Sequence, residues 1–515
     1  MPNLAYHKKK NGVVYVYSVE SYWDKEKKAP RNKQKCIGKL DPQTGEILPN
    51  RKRAAPHNEI QPAVSTRTAG PFLLLEKLAE ETGLRKLLKA SFRNMHEEIL
   101  SIVYFLVEKG LPLSRIEPWS IGHLHPFQAE ISSQKVSKIL ASMTDKERQI
   151  FLTSWLRRMT ESDYLCYDIT SISSYVQGNE YVRRGYNRDG ENLPQINLAV
   201  LFGQKKRLPA YYRRLQGNIP DVVTLRNTIK AMDLLGSGKT HFVLDRGFYS
   251  KANVDELLKR RYHFTMALPI GRKWVEQIID LHYESIESPG GYVQTDDNEI
   301  LYSATTLYKW GDDSRRTYVH IYYNPARAAE EFNRLLGHLF ECKKELETVG
   351  CLSPHNEWAA RFFILKETPK RGRSVVFNDS EILQYRKRYA GFFCILSTNL
   401  KDSLEALRVY RTRDVVENCF DDMKNQLDMK RLRVHNSSSM DSRLFLQFLA
   451  SIFICAIRNT IQSDESLKNL TVRETLETME PLCLSRFSDR YGKIYTETSP
   501  LQRNIMKAFG LQLPT

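Results

Sequence analysis

The chain has 515 residues, enough for about three structural units at roughly 150 residues each, and 41% of it is hydrophobic, which supports sizeable cores. Lys and Arg number 77 against 60 Asp and Glu, a formal charge of +17 with pI near 9.3, so a polyanionic partner is favoured, because each neutralised phosphate releases counterions. The eight cysteines are scattered without C-x-x-C spacing, several inside apolar runs such as FFCIL and FICAI; this excludes a disulfide scaffold and reads as free thiols in a reducing compartment.

The start, MPNLAYHKKKNG, lacks the apolar segment of a secretory signal, so a soluble, cytoplasmic protein with no membrane partner is expected. Residues 1–65 read as a basic N-terminal β unit and linker. VVYVYSV alternates apolar and polar residues, DPQTGE signals a turn, and RKRAAPHNEIQPA at 51–63 is the linker. Ten lysines and arginines between Lys8 and Lys39 are interleaved with Tyr15, Tyr17, Tyr22 and Trp23. That pattern suits either a ribbon lying against DNA or a solvated strand face.

Residues 66–160 turn helical, with PFLLLEKLAEETGLRKLLKASF, EEILSIVYFLVEKG and SSQKVSKILASM placing apolar residues three and four apart. This region is expected to serve DNA binding or oligomerisation. SSQKVSKIL, with a Ser N-cap and two lysines, is either a recognition helix or an ordinary core helix. His123 and His125 in GHLHPF have no matching cysteine or histidine pair nearby, which argues against a metal site there.

Between 161 and 270 the order is βββαβαβ: strands YLCYDIT, INLAVLFG and LPAYYRRL, helix DVVTLRNTIKAM, strand HFVLD, a helix capped by Ser250, and strand YHFTMALP. The order predicts a mixed sheet whose later strands run parallel to the first. GSGKT at 236–240 lacks the full G-x4-G-K-[ST] spacing and precedes a strand, so it reads as a turn and no nucleotide cofactor is implied. Residues 271–390 read as an inserted subdomain, largely β, with strands EILYSATTLYKW and TYVHIYY and a charged helix around 326–348. Trp274 and Trp310, in or near it, suit either a core or a stack on a flipped base. Residues 391–460 return to the core, with strand GFFCILSTN and one long helix from near Asp402 through YRTRDVVENCFDDMKNQL. LFLQFLASIFICAI at 444–457 is too short to span a bilayer and reads as a buried core helix, and 461–515 as a C-terminal helical region.

Asp168 follows the apolar-rich YLCY, and Asp245 ends HFVLD. A carboxylate closing a buried strand is costly unless something cationic or hydrogen-bonding receives it. If the two strands are neighbours, the two carboxylates lie side by side, as in a proton-sharing dyad or a metal site; pairing of Asp245 with Arg246 is the competing structural reading. Tyr410, Arg413, Glu417 and Lys424 are spaced 3, 4 and 7 apart and fall on one helical stripe, beside an apolar stripe of Val416, Phe420, Met423 and Leu427. The plain alternative is a solvated face with an Arg413–Glu417 ion pair.

The pattern Y-x2-R-x3-E-x6-K formed by Tyr410, Arg413, Glu417 and Lys424 resembles the Y-R-E-K signature of bacterial DDE insertion-sequence transposases. YDIT and LDRGFYS resemble the segments holding the family's first and second catalytic Asp, and GNIPD at 217–221 resembles another recurrent segment. The resemblance implies an α+β multidomain protein. Its parts would be a ribonuclease-H-like mixed-sheet core, a largely β insertion, an N-terminal β unit and helical domains. It implies catalytic, metal-holding roles for Asp168, Asp245 and Glu417, with two Mg²⁺ per site (Mn²⁺ able to substitute) about 3.5 to 4 Å apart. Tyr410, Arg413 and Lys424 would then contact double-stranded DNA, at element ends and target, in a homodimer or higher oligomer on DNA. The function implied is DNA cleavage and strand transfer. The rivals are another ribonuclease-H-like nuclease and a catalytically silent DNA-binding descendant.

Overall fold

The computed structural model describes residues 3–10, 12–24, 28–49, 65–160, 164–176, 178–234, 240–311, 314–368, 372–427, 429, 431–432, 437–486 and 493–512. Of the segments read from sequence, the linker at 51–63 and nearly all of GSGKT lie outside them. The chain divides into two units, one of residues 1–65 with 486–493 and one of the rest. In the first unit, strands Asn3–Lys8, Val14–Asp24, Ala29–Leu40 and Ile47–Pro49 form one antiparallel sheet. Among its described residues only Val16 and Gly38 are buried. Lysines border its aromatics instead, with Lys9 and Lys39 over the Tyr15 ring.

The core of the second unit begins with β1 (Tyr164–Ser174), β2 (Gln195–Gly203) and β3 (Leu208–Gln216). It continues through α1 (Asp221–Leu234), β4 (His241–Leu244), α2 (Lys251–Lys259) and β5 (His263–Leu268). The strands lie in the order β3-β2-β1-β4-β5; β2 runs antiparallel to both β1 and β3, and β4 and β5 run parallel to β1. A meander followed by two crossover helices is the ribonuclease-H-like arrangement, so the fold is the mixed α/β core expected. Every residue of β2 is buried, which is why its sequence is a continuous apolar run rather than an alternating one. Ser250 caps α2 by accepting a hydrogen bond from the Asn253 N–H.

The segment 271–390 departs from a largely β subdomain. It contains α3 (Lys273–His282), β6 (Tyr292–Gln294), β7 (Ile300–Trp310), β8 (Arg315–Tyr323), α4 (Pro325–Thr348), β9 (Phe363–Thr368), β10 (Gly372–Phe377) and α5 (Asp379–Arg388). Helix outweighs strand, and its first three strands do not stand apart: β6, β7 and β8 extend the main sheet through β11 (Phe392–Ser397), which pairs with β5. The physical reason is the spacing of Leu335, Leu339, Cys342 and Leu346, which gives α4 an apolar stripe with its own small core against the β9–β10 hairpin and α5.

Beyond β11 lie α6 (Ser403–Arg411), α7 (Asp414–Asn425), β12 (Arg431–Leu432) and α8 (Ser437–Ser463). The helix α8 carries the apolar run 444–457. With its polar flanks it is long and apolar enough to cross a membrane, unlike the run alone, but 83% of its apolar window is buried within the fold. It is a core helix, packed on β3, α7 and the helices His96–Lys109 and Ser133–Ser142 of the N-terminal helical region. In that region Gly83, at φ +72°, ends Gly70–Glu81 and starts Leu84–Ser91, splitting one expected helical run in two. The C-terminal region carries short strands, Cys483–Arg486 and Lys493–Tyr495, besides its helices.

Candidate active site

Tyr167 and Asp168 are consecutive on β1 and therefore point to opposite faces of the sheet. The Tyr167 hydroxyl reaches Thr224 and Thr228 of α1, which leaves Asp168 on the face covered by α6 and α7. In the parallel register, Tyr167 stands opposite Leu244, so Asp168 and Asp245 follow as neighbours across β1 and β4. The strand β4 ends there, and the edge of β1 beyond Asp168 stays open until β12 joins at Ser173.

The helix carrying the remaining residues is not continuous. It breaks between Arg411 and Asp414, where the Arg413, Val415 and Val416 N–H groups bond three residues back, to Tyr410, Thr412 and Arg413 carbonyls. This is a 3₁₀ turn. Gln204, buried just after β2, donates through Nε2 at 2.7 Å to the Val409 carbonyl, the acceptor that a continuous α-helix would offer to Arg413. Tyr410 thus ends α6, Arg413 stands at the turn, and Glu417 and Lys424 lie on α7. The single expected stripe is bent, and the bend turns Tyr410 and Arg413 toward the sheet. Val416, Phe420, Met423 and Leu427 are all buried, as the apolar stripe requires.

Arg413 joins the three carboxylates. Its Nη2 donates to Glu417 at 2.8 Å, its Nη1 lies 3.9 Å from Asp168, and Asp245 is its strongest favourable electrostatic neighbour. The Tyr410 hydroxyl donates to Asp245 Oδ1 at 3.0 Å. Pairing of Asp245 with Arg246 is not found among the described residues. The Arg413–Glu417 ion pair is present, but it is not a solvated face: the Arg413 side chain is only 16% exposed, against 56% for Glu417. Burial pushes the Asp168 carboxyl up to about 6; a hydrogen bond from the Ile169 N–H, then Arg413 and Arg188, pull it down, and Asp245 adds a smaller upward push. Burial also raises the Tyr410 hydroxyl, helped by Asp245. Lys424 lies apart, about 10 Å along α7 from Glu417, with its ammonium 2.6 Å from Asp189.

Among the described residues no group of three or more His, Cys, Asp or Glu side chains is drawn close enough to hold a metal ion. The donor chemistry nevertheless suits a hard divalent cation. Three carboxylates face one cationic centre, and Asp168, a largely covered one, has only a 3.9 Å contact to it. Arg413 Nε is buried without a hydrogen-bond partner, an unused donor suited to an anionic oxygen. Sequence reading missed Gln204, Arg188 and Asp189; the dense basic run RRGYNRDGEN between β1 and β2 was the available signal for the last two. Trp274 and Trp310 belong to an aromatic cluster with Tyr308, and their indole N–H groups donate to Tyr249 and Asp255. His125 is buried, bonded to Ser101 and Ser120.

An aspartate within β1, another directly after β4 and a glutamate on α7 form the arrangement of a DDE site. Residues 160–453 match the family described as transposase DDE domain, and this is more than half of the chain. The protein belongs to the DDE transposase domain family. No curated protein matches it. Among solved structures, it is similar to a chain in the cryo-EM structure of a piggyBac transposase synaptic complex with hairpin DNA. Identity is 10%, the TM-score is 0.39, and the match covers 80% of this chain and 79% of that one.

Proposed function

We propose that this protein is the transposase of an insertion sequence, which binds the element's double-stranded DNA ends and cuts and joins DNA strands by metal-dependent phosphoryl transfer. The observation that carries this reading is the convergence of Asp168, Asp245 and Glu417 on Arg413 at the open edge of β1. In this reading the three carboxylates hold two Mg²⁺, or Mn²⁺ in their place. Bound there, the ions supply charge stabilisation at the attacking and leaving oxygens and lower the pKa of a water or 3′-hydroxyl nucleophile.

The chain's own residues supply position. Arg413 offers a planar fork and its unused Nε to a phosphate of the attacked strand, giving up its contacts with the carboxylates. Tyr410 keeps Asp245 oriented through its hydroxyl. Lys424, further along α7, holds a second phosphate as a point charge. The test is cleavage of a duplex carrying the terminal repeats that flank the reading frame. Mg²⁺ supports strand cutting and joining, whereas Ca²⁺, with its longer and looser coordination, supports binding with little chemistry. Cutting that proceeds equally in excess chelator contradicts the reading.

A further inference from the structure

The loop between β1 and β2 is built with care around one turn. Asn187 accepts from the Asp189 N–H at 2.8 Å through its side chain, Gly190 closes the turn at φ +72°, and the Tyr186 carbonyl is held by the Gln195 side chain at 2.8 Å. Three charged residues of the loop, Arg188, Asp189 and Glu191, pair with residues of other elements, while Arg184 bonds within the loop to Asn192. Arg188 forks both oxygens of Asp221 at 2.6 Å, and its charge is felt by Asp168 from a different element than Arg413. Glu191 pairs with Arg431 at 2.9 Å, and Asp189 pairs with Lys424. Tyr186, at the apex, is 84% exposed.

The pair Asp189–Lys424 is asymmetric. The Lys424 side chain is 12% exposed and Asp189 35%. The ion pair itself is exposed, so an anion from outside can reach the Lys424 ammonium, and its partner need not be a carboxylate of this chain. We infer that the loop Arg184–Asn192 is a wall of the DNA cleft in which Asp189 occupies the phosphate site of Lys424 and is exchanged for a backbone phosphate when DNA binds. Arg188, fixed by Asp221, then stands as a further cation beside Asp168, and Tyr186 presents an aromatic face to the DNA. The inference rests on the proposed reading of Lys424 as a DNA contact.

The experiment measures binding of the full-length chain to a fluorescein-labelled, random-sequence duplex in chelator, because phosphate contacts carry no sequence information. Asp189→Asn, which keeps shape and removes charge, is expected to bind about threefold to tenfold more tightly at low salt, with an unchanged melting temperature. Lys424→Ala is expected to bind more weakly. The tightening is expected to vanish when Asp189→Asn is placed on Lys424→Ala. Tightening that persists in full on Lys424→Ala would show a general field effect and overturn the exchange, as would Asp189→Asn binding no better than wild type while Lys424→Ala binds worse. Wild-type binding by Lys424→Ala overturns the inference together with the reading of Lys424 beneath it.

Discussion

Arg413 and Asp168 set the electrostatics of the site between them. A guanidinium that reaches Glu417, Asp168 and Asp245 at once depends on its width. Arg413→Lys is therefore expected to lose most strand cleavage in single-turnover assays although charge is conserved, whereas Lys424→Arg is expected to be mild. Asp168 carries a cost of the opposite kind. Its folded pKa, about 6, lies above the ordinary carboxylate value of 3.8, so above about pH 6 the folded chain holds a charge that the unfolded chain holds more cheaply. That cost is present at neutral pH, fades as pH falls through about 6, and is gone below about 4. A rise of this size corresponds to on the order of 3 kcal/mol. In chelator, Asp168→Asn is thus expected to melt above wild type at pH 7, with the gap closing toward pH 4; a gap independent of pH contradicts the assignment.

The bend between α6 and α7 places Tyr410 and Arg413, and Gln204 is bonded to the Val409 carbonyl there. Gln204→Leu removes the donor to the Val409 carbonyl, leaving it unpaired or letting the helix run on. The expected result is a loss of about 1 to 3 kcal/mol in chemical unfolding, with cleavage reduced further than stability alone explains, because Tyr410 no longer meets Asp245. Wild-type cleavage by this variant would show that the bend is incidental. The bend also marks the limit of what sequence conveys. The apolar runs and capping that define β1 to β5, α1 and α2 are local signals, so the core order is legible, as is the apolar stripe of α7. Gln204 lies 205 residues from Val409, and nothing local to YRTRD announces a break. The helix around 326–348 is legible as α4, but α3 and α5 are not, and whether the strands of 271–390 join the main sheet is decided by pairing with β11, far along the chain. Asp245 is legible as a carboxylate closing its strand, whereas Asp168, read the same way, lies within β1, which runs on to Ser174; that Arg413 stands among them is not legible, because the bend puts it there.

At the scale of the whole molecule, the excess of cations is unevenly used. The N-terminal sheet buries almost nothing and leaves Tyr22 and Trp23 exposed among its lysines, a surface that suits electrostatic grip on DNA rather than a core. A chain starting at residue 66 is expected to bind element ends more weakly and with a flatter dependence of affinity on salt, by about one in log–log slope for each lost phosphate contact. An unchanged slope would move that grip to the helices between 70 and 160 or to the catalytic core. The central claim is that Asp168, Asp245 and Glu417 act as one metal-holding set. It is tested most directly by mapping strand products from purified protein, its own element ends and Mg²⁺, for wild type and for Asp168→Asn, Asp245→Asn and Glu417→Gln side by side. Each substitution is expected to abolish cleavage while end binding stays within a few-fold of wild type; cleavage near the wild-type rate by any one of the three would show that they do not act as one set.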